Sequence, residues 1–187
     1  MGGVLIDRHE LTAYRPDIDG LRAIAVVSVI VYHLESSWLP GGFAGVDIFF
    51  VISGYLITGI LLRGVAAGDF SLREFYRRRI KRILPAMSLV IFCSLLVGQF
   101  VLLPADLERL AGSAIWAQLF AANVYFTYFL DTSYFAADSD LEPLLHLWSL
   151  GVEEQFYLLW PLLLLGLCRL GHGLLLASML FLAAASF

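Results

Sequence analysis

An arginine and a histidine stand eleven residues apart in one apolar stretch, at Arg22 and His33. In a helix, eleven residues make three turns plus about 20°, so both side chains leave the same stripe, roughly 16 Å apart along the axis. Asp19 falls within about 40° of that stripe. Because ionisable groups are costly inside a membrane, such residues normally face a protein interior or a wet cavity and mark a functional path. The alternative is that Arg22 and His33 extend to the headgroups on opposite sides.

A second candidate site is the segment 146–161, which reads HLWSLGVEEQFYLLWP. Helical spacing places several polar and aromatic side chains on one face, whereas Glu154 points elsewhere. That face consists of His146, Ser149, Glu153, Tyr157 and Trp160. A carboxylate can orient an imidazole and raise its basicity, which is what deprotonation of a sugar hydroxyl requires. Alternatively, this is a helix N-terminus at the membrane interface, where His146 and Trp148 are surface anchors and the glutamates bind neighbouring helices.

Basic residues are concentrated in one region, because seven of the twelve Lys and Arg residues lie between positions 63 and 82. Arg79 and Arg82 are one turn apart, with Arg78 and Lys81 beside them. Such a fork suits phosphates through charge-assisted, often bidentate hydrogen bonds, and coenzyme A carries such phosphates. Alternatively, these residues set the membrane topology and bind anionic lipid. Nucleic acid is not expected as a partner, since the net charge is −4 and the basic patch lies at a membrane surface.

Two residues of the second apolar segment are candidates for substrate contacts. Asp47 is the one acid in this segment, and it either pairs with His33 or a cation or stays hydrated at the interface. Tyr55 belongs to the sequence SGY at 53–55, where the glycine bends the helix or lets another backbone approach. This pattern indicates packing first and substrate lining second.

The composition is typical of an integral membrane protein. Hydrophobic residues make up 60% of the chain and charged residues 15%, whereas soluble domains carry about 25% charged residues. Cys93 and Cys168 lie far apart in apolar segments and predict packing rather than a disulfide. No metal is expected, because the histidines at positions 9, 33, 146 and 172 have no ligand spacing. No serine stands in the strand–turn–helix elbow that a Ser-His-Asp triad uses.

Apolar segments and helix breakers predict an all-α fold, a polytopic bundle of transmembrane helices. The predicted spans are 21–34, 46–62, 83–103, 145–167 and one from 174 onward. The segment 107–129 is apolar but contains Gln118 and Asn123, and we expect it to be buried against the bundle or partly inserted. Pro16 and residues 17–20 predict a turn before the first span, at the end of a polar arm of residues 1–18.

The basic cluster sets the predicted orientation, because cytoplasmic loops are enriched in Lys and Arg. It places a loop of residues 63–82 in the cytoplasm, together with the N-terminal arm, in a protein of the inner (plasma) membrane. Arg22 then lies near the inner leaflet, His33 towards the outer half and the acidic loop 131–143 outside. The apolar run that reaches Phe187 has no stop signal, so we expect an N-terminal fragment with five to six membrane helices, in which residues 19–187 form a partial domain.

Four motifs, in order, resemble the acyltransferase 3 family of bacterial membrane O-acyltransferases, over about residues 15–161. The first is DGLRAIAV, in which Arg22 and His33 have the family's R-x10-H spacing. The others are GGFxGVDIFFVISGYLIT at 41–58, FYxRRIxRILP at 75–85 and LLHxWSLxVEEQFYLLWP at 144–161. Four motifs in the family's order form a specific pattern.

The resemblance implies a bundle of about ten membrane helices that takes an acyl group, commonly acetyl, from cytoplasmic acyl-CoA. The group is delivered to a hydroxyl of an envelope polysaccharide, a peptidoglycan sugar or another glycan. The family links the residues matching Arg22 and His33 to activity, and the arginine pair matching Arg79 and Arg82 to donor binding. Many members carry a hydrolase-like domain after the membrane part, which we do not expect in this chain.

The leading hypothesis is therefore a membrane O-acyltransferase. Arg79, Arg82 and Arg78 would hold acyl-CoA, and His33 would act as general base or pass the acyl group on. Arg22 would balance charge on the donor, and His146 with Glu153 would bind or activate the acceptor. The predicted substrate contacts are Asp47, Tyr55, Trp148 and Ser149.

Two other classes compete with the enzyme. One is a transporter or channel subunit, in which ionisable residues form a proton or substrate relay. The residues of that relay would be Arg22, His33, Asp47 and Glu153. The other is a non-catalytic lipid-binding membrane partner. The arginine fork, together with two histidine-bearing helices, favours the enzyme, because a simple relay does not need such a fork.

Overall fold

A computed structural model describes residues 15–129 and 142–168. All regular structure in these ranges is helical, which confirms the all-α prediction. The α-helices are α1 Pro16–Leu34, α2 Gly45–Ala67, α3 Leu72–Val101, α4 Pro104–Gln118, α5 Ala122–Tyr128 and α6 Leu147–Cys168. A 3-10 turn, Gly42–Ala44, precedes α2. The chain divides into two compact units, Met1–Phe70 and Ser71–Phe187.

Three helices in the described part of the chain are long and apolar enough to cross a membrane. They are Gly42–Ala67, Leu72–Val101 and Leu147–Leu167, and they correspond to the predicted spans at 46–62, 83–103 and 145–167. The apolar stretch of α1 is shorter, because Asp17, Asp19 and Arg22 occupy its first two turns. The predicted span from 174 lies outside the described residues, as do residues 1–14 of the arm and most of the 131–143 loop.

The first helix begins earlier than predicted. Pro16 occupies its first turn, so the prediction of a turn at residues 16–20 is wrong. Proline suits this position, because the first amides of a helix need no helical partner. Asp17 and Asp19 place negative charge at the positive end of the helix dipole. Arg15 donates to Asp17 at 2.7 Å, and this hydrogen bond lowers the pKa of the Asp17 carboxyl to about 2.

In the first unit, α1 and α2 form a hairpin that packs through glycine. The Cα of Gly45 approaches α1 so closely that an added Cβ would meet the Ala25 carbonyl and the Ser28 hydroxyl. α2 extends beyond the predicted end at Leu62, to Ala67. It ends at Gly68, whose φ of 73° gives the left-handed cap that glycine adopts without strain.

The third helix begins eleven residues before its predicted start at Ile83, so the basic cluster lies on a helix and not in a loop. The Ser71 hydroxyl caps the helix by accepting from the amide of Glu74, 3.4 Å away. One turn on, Arg77 pairs with the Glu74 carboxylate at 2.7 Å. The helix also continues through Pro85, which interrupts one backbone hydrogen bond without ending it.

In the second unit, residues 107–129, which were predicted to be one buried or partly inserted segment, contribute to two helices. α4 and α5 have 15 and 7 residues, whereas a single helix needs about 20 residues to cross a bilayer. The chain turns between them at Phe120, whose φ is 55°. α4 packs against α3, α5 packs against α6, and both helices contribute residues to one buried core. The buried core residues are Met87, Ile91, Leu110, Ala114, Ala117, Ala122, Phe126, Leu144 and Leu147.

Candidate functional site

Arg22 lies half-buried on α1, in the first unit. Its guanidinium carbon is 5.5 Å from the centre of the Phe49 ring on α2. One guanidinium nitrogen is 3.8 Å from the Asp19 carboxylate, one turn earlier on α1, which agrees with the predicted stripe. The aromatic face and the carboxylate together hold the cation within the α1–α2 hairpin.

His33 is exposed in the last turn of α1. Its Nδ1 atom lies 2.8 Å from the carbonyl oxygen of Val29, and its ring meets Tyr32 edge-on with 5.5 Å between the ring centres. In a neutral imidazole, a carbonyl at Nδ1 indicates that the proton is on Nδ1 and that Nε2 is the acceptor nitrogen. This is the state in which an imidazole takes a proton from a hydroxyl.

Two further candidates of the first unit, Asp47 and Tyr55, are exposed on α2. Asp47 is in the first turn, where its charge suits the positive end of the helix dipole. The Tyr55 side chain is 60% exposed, and its hydroxyl interacts with Arg15. Tyr55 therefore lies at the surface of its unit.

The start of α6 differs from the prediction. The helix begins at Leu147, so His146 lies in the preceding turn and is exposed. The Ser149 hydroxyl donates to the carbonyl of His146 at 3.1 Å. Trp148 packs against the core of the second unit. His146 therefore stands immediately before the first residue of the helix.

The face predicted for residues 146–161 includes a direct contact. The hydroxyl of Tyr157 donates to Glu153 one turn earlier, which confirms that these two side chains share a face. Tyr157 is buried, with 3% of its surface exposed. The guanidinium of Arg79 stacks on its ring, 4.0 Å from the ring centre, and lies 5.9 Å from the centre of the Phe75 ring.

The other two arginines predicted to bind a donor, Arg78 and Arg82, are exposed. The Nε atom of Arg78 lies 3.9 Å from the Glu74 carboxylate on the same helix. Arg79 is half-buried between α3 and α6. The structure thus divides the predicted fork into one half-buried arginine and two exposed ones.

A cavity of about 290 Å³ lies between the early turns of α3, the α4–α5 connection and the middle of α6. Its lining residues are Tyr76, Arg79, Ile80, Leu119, Phe120, Ala121, Glu154, Gln155, Tyr157 and Leu158. The hydroxyl of Tyr76 donates to the carbonyl of Leu158 at 2.9 Å and joins α3 to α6 beside it. Arg79 and Glu154 are the charged residues of a lining that is otherwise mostly apolar.

Gln155 fixes the wall of this cavity. Its Nε2 atom donates to the carbonyl of Phe120 and to the side-chain oxygen of Asn123, both at 2.9 Å. A non-glycine residue with positive φ, such as Phe120, is uncommon and needs such support. The hydrogen bonds hold the α4–α5 turn against α6. They also explain why an amide side chain, Asn123, occurs in the mostly apolar 107–129 segment.

Glu154 is a residue of this site that the sequence analysis did not select. Its Oε1 atom is buried and has no hydrogen-bond partner within residues 15–129 and 142–168. Arg79 attracts it electrostatically, but no ion pair joins the two in these ranges. The signal in the sequence was the second glutamate of EEQ. Whether Glu154 is buried depends on which helices pack on that side of α6, and helical spacing alone does not determine this.

The arrangement can bind a polar group in mostly apolar surroundings. A guanidinium stacked by its face keeps its N–H donors available at the edge. The apolar lining lowers the local dielectric constant and strengthens each polar contact. Among the described residues, no group of three or more His, Cys, Asp and Glu could hold a metal ion.

A family model described as an acyltransferase domain matches residues 15–187. The chain is similar to the peptidoglycan O-acetyltransferase OatA of Listeria monocytogenes, with 48% identity over 153 residues, 81% of this chain and 24% of that protein. It is also similar to the O-acetyltransferase OatA of Staphylococcus aureus, with 45% identity over 152 residues, 81% of this chain and 25% of that protein. The chain thus spans about a quarter of the length of these relatives. No solved structure matches it significantly.

Proposed function

Since the chain belongs to the acyltransferase family, we propose that it forms part of a membrane enzyme that transfers an acetyl group to a hydroxyl of an envelope glycan. Both relatives described above are named as O-acetyltransferases, and the name of the Listeria protein gives peptidoglycan as its acceptor. Peptidoglycan is therefore the acceptor that we favour. Three helices suited to cross a membrane support an enzyme of the bilayer, and we place it in the plasma membrane.

The observation that carries the proposal is the position of Arg79 on the face of Tyr157, in the lining of a cavity. The stack holds a cation in place to meet a donor substrate. We propose acyl-CoA as that donor, with the exposed Arg78 and Arg82 binding its phosphates near the same helix start. The clustering of arginines on the first turns of α3 supports this assignment.

The reaction that we propose is a direct acyl transfer. The hydroxyl oxygen of the glycan forms a bond to the carbonyl carbon of the thioester, and the carbon–sulfur bond breaks. Sulfur leaves with the electron pair as coenzyme A thiolate, and the hydroxyl proton passes to Nε2 of His33. Arg22 offsets negative charge that develops on the donor. His146 contributes to binding of the acceptor.

The test uses membranes that contain the full-length protein, labelled acetyl-CoA and peptidoglycan. We expect His33→Ala to reduce the transfer of label about 100-fold or more, the usual contribution of a general base. We expect Arg79→Ala/Arg82→Ala to raise the apparent KM for acetyl-CoA about tenfold. Arg73→Ala is the matched control, because Arg73 is an exposed arginine of α3 outside the fork. Full activity of His33→Ala at normal membrane levels would remove His33 from the mechanism.

The competing relay predicts a different result. A proton or substrate relay through Arg22, His33, Asp47 and Glu153 would give a pH-dependent flux into vesicles, with no label on the glycan. A lipid-binding partner without activity would give neither flux nor label. Either outcome would contradict the proposed acetyl transfer.

A further inference from the structure

The cavity beside α6 is lined by a residue with an unsatisfied hydrogen-bond acceptor. The Oε1 atom of Glu154 is buried and has no partner within the described ranges, and Glu154 belongs to the lining. Buried polar atoms in native proteins almost always have a partner. An orphaned oxygen on a cavity-lining residue therefore indicates a ligand group, or an ordered water, that donates to it.

Arg79 supplies hydrogen-bond donors to the same cavity. The ring centre of Tyr157 lies 4.0 Å from the guanidinium carbon of Arg79, while the N–H donors lie in the guanidinium plane and point outward from its edge. Arg79 and Glu154 attract each other, yet no ion pair joins them in the part of the chain that the structure describes. The lining therefore holds donors and an acceptor that do not satisfy each other.

We propose that this cavity binds a neutral group that accepts a hydrogen bond from Arg79 and donates one to Glu154, as a secondary amide or a hydroxyl does. A phosphate would satisfy Arg79 but would lie near a carboxylate in apolar surroundings, where like charges repel strongly. A cation would satisfy Glu154 and be repelled by Arg79. A neutral group with both functions satisfies both side chains.

The inference rests on the proposed function, whose two substrates each offer this chemistry. The pantetheine arm of acyl-CoA contains secondary amides, and an N-acetylated amino sugar of the glycan contains one beside its hydroxyls. If the pantetheine arm enters the cavity, Arg79 donates a hydrogen bond to an amide of the donor, and the exposed Arg78 and Arg82 bind its phosphates. If the sugar enters, the cavity is an acceptor site.

The test measures binding of three probes to the full chain in lipid nanodiscs by isothermal titration. Pantetheine carries the amide arm without the phosphates of CoA, N,N′-diacetylchitobiose carries the amino sugar, and adenosine 3′,5′-bisphosphate carries phosphates alone. Glu154→Leu removes the acceptor, and Glu154→Gln keeps a neutral one. Glu108→Gln is the matched control, because Glu108 is an exposed glutamate on α4 outside the cavity lining.

We expect Glu154→Leu to weaken one amide probe about tenfold or more, the effect of losing one hydrogen bond to a charged group. Glu154→Gln should weaken it less but at least about twofold, because a neutral oxygen is the poorer acceptor. Glu108→Gln should leave all three affinities unchanged. Loss of pantetheine affinity identifies the donor arm, and loss of chitobiose affinity identifies the amino sugar.

Two results would overturn this inference. One is that Glu154→Leu and Glu154→Gln bind both amide probes with the same affinity as the wild type. Absence of binding by the wild type and by both variants counts as this result. The other is tighter binding of the bisphosphate by Glu154→Gln, which would place an anion in the cavity. If Glu154→Leu does not fold, the comparison is made with Glu154→Gln alone.

The two proposals can fail separately. Binding that depends on Glu154, without any acetyl transfer to glycan, would contradict the proposed activity but not the ligand chemistry of the cavity. Acetyl transfer with binding that is indifferent to Glu154 would contradict the ligand chemistry alone.

Discussion

Arg79 is held in place by side chains of another helix. Glu153 accepts a hydrogen bond from the hydroxyl of Tyr157, and the ring of Tyr157 lies against the guanidinium of Arg79. A free arginine loses considerable side-chain entropy when a ligand fixes it, so an arginine that is already fixed binds at a lower cost. We therefore infer that Glu153 positions Tyr157, a role different from the acceptor activation expected from its sequence.

Two substitutions of Tyr157 separate the ring from its hydroxyl. Tyr157→Leu removes the aromatic face, and we expect the KM for the acyl donor to rise roughly fivefold with little change in kcat, because a cation–π contact contributes about 1 kcal/mol. Tyr157→Phe keeps the ring but loses the hydrogen bond to Glu153, so KM should rise less, about twofold. Tyr128→Leu, at a tyrosine that is 79% exposed on α5, is the control. Equal KM values for the Leu and Phe variants would contradict a role of the stack.

Glu142 is a buried carboxyl in the segment that precedes α6, with 8% of its surface exposed. Burial raises the pKa of this carboxyl above its ordinary value of 4.5; Arg109 opposes the rise and Asp106 adds to it. Because the folded protein holds the proton more tightly than the unfolded chain, stability falls as the pH rises above 4.5 and levels off above the raised pKa.

Glu142→Gln should remove this pH dependence. The amide keeps the shape of the side chain and does not ionise, so we expect the variant to match the wild type near pH 4 and to be more stable at pH 7, by about 1 kcal/mol or less. Thermal unfolding in detergent, followed by tryptophan fluorescence between these two pH values, measures the difference. A constant difference at every pH would show that ionisation of Glu142 is not its cause.

At the scale of elements, the turn between α4 and α5 shapes the cavity. Phe120 adopts positive φ and lines the cavity, and Gln155 on α6 holds its carbonyl. A second amide, Gln118, donates to Ser88 on α3 at 3.1 Å. The two ends of this turn are thus tied to different helices by side-chain amides, which hold the cavity wall between α3 and α6.

The α1–α2 hairpin depends on the absence of a side chain at position 45. In Gly45→Ala, the added methyl group would fall against the Ala25 carbonyl and 2.6 Å from the Ser28 hydroxyl oxygen. The helices must then separate, and we expect a loss of about 1–3 kcal/mol in the free energy of unfolding, measured in detergent.

Gly20→Ala is the matched control for this substitution. Nothing lies within 4 Å of an added Cβ at position 20 in α1, so alanine should leave stability unchanged or raise it by up to about 1 kcal/mol through helix propensity. Equal effects at positions 20 and 45 would contradict close packing of the hairpin.

At the scale of the whole molecule, charge is distributed unevenly along the chain. The Lys and Arg residues collect between positions 63 and 82, on the end of α2, the short connection to α3 and the first turns of α3. By the positive-inside tendency, we propose that this region faces the cytoplasm. The connection between α1 and α2 then faces the outside.

Cysteine labelling tests this orientation. With Cys93 and Cys168 replaced by alanine, single cysteines are introduced as Ser37→Cys, between α1 and α2, and Asp69→Cys, between α2 and α3; both positions are exposed. We expect a membrane-impermeant maleimide to label position 37 in intact cells and position 69 only after permeabilisation. The reverse pattern would contradict the proposed orientation.

The sequence by itself determined the all-α class, three membrane-suited helices and the shared face of Glu153 and Tyr157. These features depend on the lengths of apolar runs and on helical periodicity, which are local properties. The starts of α1 and α3 were predicted too late. Pro16 favours a first helical turn as well as the turn predicted there, and α3 runs through Pro85 from a cap at Ser71.

Only the tertiary structure decided which side chains form the cavity. Tyr76 meets Leu158 across 82 positions of the chain, and Gln155 meets Asn123 across 32. The choice of Arg79 over its neighbouring arginines, and of Glu154 beside Glu153, follows from the packing of α3, α4 and α5 around α6. Helical periodicity gives the direction of a side chain from its own helix, but it does not contain the position of the next helix, which the packing of all the elements sets together.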